Sequence, residues 1–369
     1  MDASGAIYGV TGGGGTVACY HGCGTVFKLA PSGSAYTEKI LFRFLGGSNG
    51  ESPVGGLIMD SAGTFYGTTL GGSSGCPPSC GTVYKLAPTE AGYIHEVLYQ
   101  FKGGSDGYGA YGGLTVDSSG ALYGTTSEGG ANGAGTAYKL TPAKSGYKKS
   151  TLFSFPISGD AEPLASLLLG KRGALYGTAL FSSVFELTPT SSGYAVRTLH
   201  ELSGPPDGSL PYAPVVTGPD GAFYGTTYEG GTSHCKYHDG CGTAYKLSPT
   251  KSGYSETVFS FANDDGAYPL MALLLAKDGA LYGTTTGGGF KCPGREPTYG
   301  CGLAFKLEPA GAGFKETVLH KFTGRNDGAT PSSPLIADAS GALYGAAGAG
   351  GAGHRKCQGG CGLIFKLEP

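Results

Sequence analysis

The feature that most constrains this 369-residue chain is a phrase that returns seven times: Leu-Tyr-Gly-Thr-Thr and its variants. It starts at Ile7, Phe65, Leu122, Leu175, Phe223, Leu281 and Leu343, at spacings of 48 to 62 residues. Self-similarity at such a period means that each copy is one supersecondary unit burying its apolar surface against its neighbours. A second phrase follows each copy: GTVFKL at Gly24, GTVYKL at Gly81, GTAYKL at Gly135 and Gly242, GLAFKL at Gly302 and GLIFKL at Gly362. The fourth copy is degenerate, Ser183-Val184-Phe185-Glu186-Leu187. Six copies of a third phrase resemble Tyr93-Ile-His-Glu-Val-Leu-Tyr-Gln-Phe101. Six of a fourth resemble Pro269-Leu-Met-Ala-Leu-Leu-Leu275.

Each phrase is a short run of β-branched, aromatic and aliphatic residues bounded by Gly, Pro, Asp-Gly or Ser-Gly turns, which is the pattern of a strand. In blade order we name them A (Pro-x-x-x-Leu-Ile), B (Leu-Tyr-Gly-Thr-Thr), C (Gly-Thr-Val-Tyr-Lys-Leu) and D (Thr-Val-Leu-Tyr-Ser-Phe). Four strands per period and seven periods predict an all-β fold, a seven-bladed β-propeller of four-stranded antiparallel blades forming a single domain over residues 1–369. A β-solenoid or a string of small β domains is the alternative, but solenoid coils repeat at shorter periods. Composition agrees. Glycine supplies 71 residues, far above its usual share of roughly 7 per cent, and each helical Gly costs roughly 1 kcal/mol against Ala. Long helices are thereby excluded, and 24 Tyr and 17 Phe in a chain that is 40% hydrophobic exclude disorder.

The phrases Asp207-Gly-Ser-Leu-Pro211, Asp117-Ser-Ser-Gly-Ala-Leu-Tyr-Gly-Thr-Thr126 and Gly81-Thr-Val-Tyr-Lys-Leu-Ala-Pro88 carry a family resemblance. The pattern resembles the GloVer (Gloeobacter/Verrucomicrobia-type) tandem-repeat family over nearly the whole chain. It is also similar, more distantly, to the sensor propellers that precede two-component kinases. The resemblance implies propeller architecture and an exported or surface-anchored protein. It implies no catalytic signature that transfers to these positions.

Strand counting gives seven B and seven C but six A and six D, so one blade is incomplete within this chain. The opening Met1-Asp2-Ala3-Ser4-Gly5 aligns with Met59-Asp60-Ser61-Ala62-Gly63 at the end of an A strand, and Lys366-Leu367-Glu368-Pro369 follows a C strand. Three readings fit: a piece of a longer chain, an imperfectly closed propeller, or strand donation between chains, because bare edges template pairing.

All ten cysteines fall between strands B and C, two to a loop: Cys19/Cys23, Cys76/Cys80, Cys235/Cys241, Cys292/Cys301 and Cys357/Cys361. Local, even pairing reads as five disulfides and an oxidising, extracellular or cell-surface compartment. Closing about five residues contributes roughly 2 kcal/mol in the chain-entropy picture. Metal binding is the competing reading, strongest at Cys235/Cys241 with His234 and His238, because a structural zinc site needs four ligands. No run is long and apolar enough for a transmembrane segment, and no signal peptide is recognised at the start of this chain. The net charge of −2 gives no electrostatic reason to expect nucleic acid.

Antiparallel alternation places the B–C and D–A loops on one side of the propeller. Long, variable, clipped loops on a scaffold are where binding usually resides. The ligand-binding candidates there are Tyr20, His21, Tyr237, His238, Asp239, Arg295, Tyr299 and Arg355. The Asp-Gly pairs (Asp106, Asp207, Asp265, Asp327) serve turn formation, with calcium ligation as the minority alternative and no other cofactor expected. In blade four the Lys of Tyr-Lys-Leu becomes Glu186 while the D strand carries Arg197, which suggests a cross-strand pair.

An active site must occur once while a scaffold repeats. No His-Glu-x-x-His or phosphate-cradling loop is present. The reading is therefore a secreted or cell-surface propeller acting as a non-catalytic binding or structural module. Its partners would be an extracellular protein, a glycan or copies of itself. A filament subunit formed by strand donation is one alternative. A propeller-type polysaccharide lyase or hydrolase using His234, His238, Asp239, Arg295 and Arg355 is the other.

Overall fold

The computed structural model describes residues 1–33, 35–72, 80–157, 161–180, 183–191, 193–236, 238–293, 299–351 and 360–369. The chain is an all-β, seven-bladed propeller of antiparallel sheets; the first blade holds three strands, B to D. Blade three is representative: A is Thr115–Val116, B Leu122–Thr126, C Thr136–Pro142 and D Tyr147–Ser154. Among the described residues helix is confined to four single 3₁₀ turns, and no helix is long and apolar enough to cross a membrane.

Each residue of the B phrase has a distinct task, repeated from blade to blade. The leading Leu or Phe is buried, as are Phe65, Leu122, Leu175 and Leu281. The Tyr faces the C-strand Lys in register (Tyr66 opposite Lys85, Tyr123 opposite Lys139). Its hydroxyl donates to the Asp of the A–B turn: Tyr8 to Asp2 at 2.8 Å, Tyr123 to Asp117 at 3.0 Å, Tyr344 to Asp338 at 2.9 Å. The Lys ammonium then lies over the Tyr ring, 4.9 Å from the centroid for Lys139 on Tyr123, which is within cation–π range. The Gly is required because the outer end of the C-strand aromatic ring lies against it. A Cβ on Gly67 would stand 2.6 Å from the Tyr84 hydroxyl oxygen, and one on Gly345 2.4 Å from Phe365. The first Thr donates to the next blade (Thr125 to the Ala165 carbonyl, 2.9 Å), and the second bonds the Thr that opens strand C (Thr126 with Thr136, 2.8 Å).

The blade-four exception follows the same physics. Its turn, Gly170-Lys171-Arg172-Gly173, has no Asp, so the Tyr176 hydroxyl donates to Glu186 instead, at 3.0 Å. Arg197 neutralises that carboxylate at 2.6 Å, which is the cross-strand pair expected from the sequence.

The D–A loops repeat a backbone device. A residue with left-handed φ precedes the loop proline in several blades: Ser52, Glu162, Leu210, Tyr268 and Thr330. Its N–H reaches the carbonyl before the C strand of the preceding blade: Ser52 to Cys23, Tyr268 to Cys241, Thr330 to Cys301, all within 2.9 Å. The conformation costs on the order of 1–3 kcal/mol in a non-glycine residue and persists where surrounding contacts fix it. Backbone geometry is thus constant while the displayed side chain varies.

The chain divides into two compact units, residues 1–177 with 186–197, and residues 178–185 with 198–369. In the first, apolar clusters lie between consecutive sheets: Val26, Phe44, Phe65, Tyr84 and Leu86 between blades one and two, and Phe101, Leu114, Leu122 and Tyr138 between blades two and three. An ion pair joins blades two and three beside them. Lys149, only 5% exposed at its side chain, lies 2.9 Å from Asp106, which also accepts the Tyr99 hydroxyl at 2.8 Å.

In the second unit the core includes Phe261, Leu273, Leu281, Phe305 and Leu307. Here Glu316 takes the position of Lys149, opposite the C-strand Leu. Burial, and then the charge of Asp265, push the Glu316 carboxyl up to about 8. It therefore stays protonated in the folded chain while the unfolded chain releases its proton near the ordinary value of 4.5. The stability this group contributes is complete below that value and is lost as pH rises towards 8. Glu316→Gln should remove this decline, so the variant and wild type match at pH 4 and the variant is the more stable at pH 9 in urea denaturation. Equal stabilities at pH 9 would contradict the assignment.

Candidate functional site

Local pairing places B–C and D–A loops side by side. Ser209 donates its N–H to the Glu229 carbonyl and Ala267 to that of Gly287, each at 3.0 Å. The cysteine pairs close these loops. Cys19–Cys23, Cys235–Cys241 and Cys292–Cys301 are disulfides, and Cys80 and Cys361 are disulfide-bonded as well. Their expected partners, Cys76 and Cys357, lie outside the described residues. The second Cys of a pair is also the one whose carbonyl holds the neighbouring blade (Cys23, Cys241, Cys301). Each of these three clips therefore ties its loop to the residue whose carbonyl holds the next blade. With Cys235 and Cys241 joined, no thiolate remains for the zinc reading of that loop. The Sγ of Cys19 lies 2.8 Å from a Glu51 oxygen, but that sulfur too is bonded to Cys23.

One loop cluster stands apart from the repeats. In blade five, Glu229, His234, Cys235, Lys236, His238 and Asp239 line a hollow of about 530 Å³. Glu229 sits where Glu128 sits in blade three, on an extension of strand B. The clipped loop turns back through a Cys235–His238 bridge, and this brings Nδ1 of His238 to 2.6 Å from the Glu229 carboxylate. The carboxylate fixes the ring's orientation and tautomer. Among the described residues Nε2 of His238 makes no hydrogen bond.

Beneath the dyad lies a set of aromatics. His238 meets Tyr268 edge-on at 4.8 Å, Tyr268 stacks on Tyr228 at 5.1 Å, and Tyr299 lies 5.2 Å from Tyr268. The Tyr228 and Tyr299 hydroxyls share a hydrogen bond of 2.7 Å. Burial, followed by the Tyr299 contact, raises the Tyr228 phenol well above its ordinary pKa, so it stays neutral throughout the physiological range. Tyr268 is 2% exposed and occupies the left-handed position before Pro269. The scaffold's strained position here carries the ring that packs against His238.

Of the residues singled out from the sequence, the structure brings His234, His238 and Asp239 together at the hollow and places Tyr299 beside Tyr268, which packs against His238. Tyr20, 95% exposed, packs edge-on against His21 at 4.4 Å in the first unit. Tyr237, Arg295 and Arg355 lie outside the described residues. Sequence reasoning missed Glu229 and Tyr228. The available signal was the run Thr-Thr-Tyr-Glu-Gly-Gly, in which a carboxylate follows the B phrase; only blade three shares that feature.

The repeated blades and clipped loops define a tandem-repeat β-propeller. The chain belongs to the Gloeobacter/Verrucomicrobia repeat family, whose signature matches residues 1–182 and 181–369. No curated protein matches the sequence. Among solved structures it is similar to a fungal alcohol oxidase in complex with copper (13% identity, 99% of this chain and 72% of that one, TM-score 0.60). It is similar to a putative 6-phosphogluconolactonase from Bacteroides fragilis (12%, 94% and 89%, TM-score 0.55). It is also similar to a periplasmic gluconolactonase from Pseudomonas aeruginosa (14%, 98% and 95%, TM-score 0.54). At these identities the likeness is one of fold.

Proposed function

We propose that this protein is an extracellular binding module whose blade-five hollow recognises a polyhydroxylated ligand, a glycan, without transforming it. The observation that carries this reading is the hollow itself, which is lined by polar and charged groups and occurs on one loop of a repeated scaffold. Such a lining suits hydroxyl recognition by bidentate hydrogen bonds to Glu229, Lys236 and Asp239. The tyrosines below serve as packing and hold the rim rigid. The disulfide-clipped loops support an oxidising compartment outside the cell.

A glycan array read with the intact protein tests this. We expect binding to a restricted set of glycans, reduced at least tenfold by Glu229→Gln together with Asp239→Asn. Uniform silence on the array would overturn glycan recognition.

A second reading rests on the His238–Glu229 contact of 2.6 Å. A histidine oriented by a carboxylate is a general base in waiting, so a polysaccharide lyase or hydrolase is the alternative. Release of reducing ends or of unsaturated products from the bound glycan, abolished by His238→Ala, would favour catalysis over binding alone.

A further inference from the structure

A position of the scaffold recurs between consecutive blades with its chemistry changed. Its three parts are a D-strand residue, the loop residue seven places on, and the D-strand residue of the next blade opposite the C-strand Leu. Between blades two and three these are Tyr99, Asp106 and Lys149, and Lys149 supplies the cation that Asp106 needs. Between blades one and two they are Phe42, Asn49 and His95, with Phe42 stacked on His95 at 4.4 Å. Between blades four and five they are His200, Asp207 and Glu256. The tyrosine has become an imidazole and the lysine a second carboxylate.

We propose that His200, Asp207 and Glu256 bind a divalent transition metal of the zinc class. Nε2 of His200 and Oε1 of Glu256 face each other at 3.3 Å. Both atoms are sealed from solvent, and neither is aligned for a hydrogen bond, so the contact has ion-pair distance without hydrogen-bond geometry. The Glu256 side chain is only 11% exposed. One ligand atom from each of the three residues lies within 4.8 Å of the other two. Metal–ligand bonds of about 2.0–2.2 Å place adjacent donors roughly 3–3.5 Å apart, so small side-chain adjustments close the set. Ser203 donates to Asp207 at 2.9 Å and orients it, as outer partners orient metal ligands elsewhere.

The cation that Lys149 builds into the first unit is thus absent from the equivalent place here, and a metal ion restores it. An imidazole with two carboxylates suits zinc, manganese or ferrous iron, whereas calcium and magnesium seek oxygen-only shells. Among the described residues this is the one copy of the position where all three side chains are metal ligands.

The test uses the full chain and Zn²⁺ alone. Zinc content after dialysis, calorimetric titration and thermal midpoint are compared among wild type, Glu256→Lys and His200→Phe. Both substitutions copy residues that other blades tolerate at these positions, and circular dichroism verifies folding. We expect wild type to retain one more zinc per chain than either variant and to bind it at least tenfold more tightly. A zinc-dependent rise in midpoint should be lost in both variants, and Ca²⁺ should not reproduce it. No zinc retained by wild type, or equal stoichiometry in wild type and Glu256→Lys, would overturn the site. Loss of zinc in His238→Ala but not in Glu256→Lys would place the metal in the blade-five hollow and overturn it equally.

Discussion

Gly67→Ala should destabilise the chain by about 2–3 kcal/mol, the upper part of the range for overpacking a filled core. The added methyl would stand 2.6 Å from the Tyr84 hydroxyl oxygen and 2.7 Å from Cζ. Neither side can yield cheaply. Tyr84 is fully buried and meets Phe44 edge-on at 5.0 Å, while Gly67 is held in register opposite it by the B–C ladder. Urea denaturation of wild type, Gly67→Ala and the double variant Gly67→Ala/Tyr84→Leu separates steric conflict from lost glycine flexibility. If the ring is the cause, the second substitution recovers part of the loss. A single variant as stable as wild type would show that the ring does not rest on the glycine.

The second large effect belongs to Lys149. Replacing it with methionine leaves Asp106 with the Tyr99 hydroxyl and the Lys102 N–H but no countercharge. Breaking a buried pair typically costs 3–5 kcal/mol. Asp106 retains 21% side-chain exposure, so the low end, about 3 kcal/mol, is expected at neutral pH. The effect must depend on pH. Burial tends to raise the Asp106 pKa, but Lys149, Tyr99 and the Lys102 N–H together hold it below its ordinary 3.8. A depressed folded-state pKa means that the pair's contribution is complete above the unfolded value and is lost as pH falls through the folded one. Wild type and Lys149→Met should therefore differ most near pH 7 and converge as pH falls below the ordinary 3.8. A constant gap across that interval would count against the charge pair and leave packing as the explanation.

Both predictions rest on residues whose roles differ in how visible they are in the chain. The Gly of Leu-Tyr-Gly recurs with the aromatic of Tyr-Lys-Leu, and two features repeating together in neighbouring strands point to contact between them. The Glu186–Arg197 pair was legible for the same reason, since one charge changed sign against a constant background and its cross-strand neighbour changed with it. Lys149 gave no such signal. Its partner Asp106 lies 43 residues away in the loop before its own blade, and turn formation alone accounts for an Asp-Gly there. Glu229 was hidden similarly, because its partner His238 is brought near only when the Cys235–Cys241 clip folds the loop back.

The blade is written in the chain: seven copies of a strand alphabet whose every letter has a local task. Hydrophobic period, turn chemistry and cysteine spacing act over a few residues, so they can be read without coordinates. Which variable positions meet is fixed by the packing of one blade on the next. The D-strand and loop residues of one blade face the D strand of the next across the interface. There the side chain opposite a given carboxylate is set by how sheets stack, not by neighbours in sequence. Ion pairs, carboxyl pairs and His–carboxylate clusters arise at one and the same scaffold position because stacking fixes the geometry and leaves the chemistry free to vary.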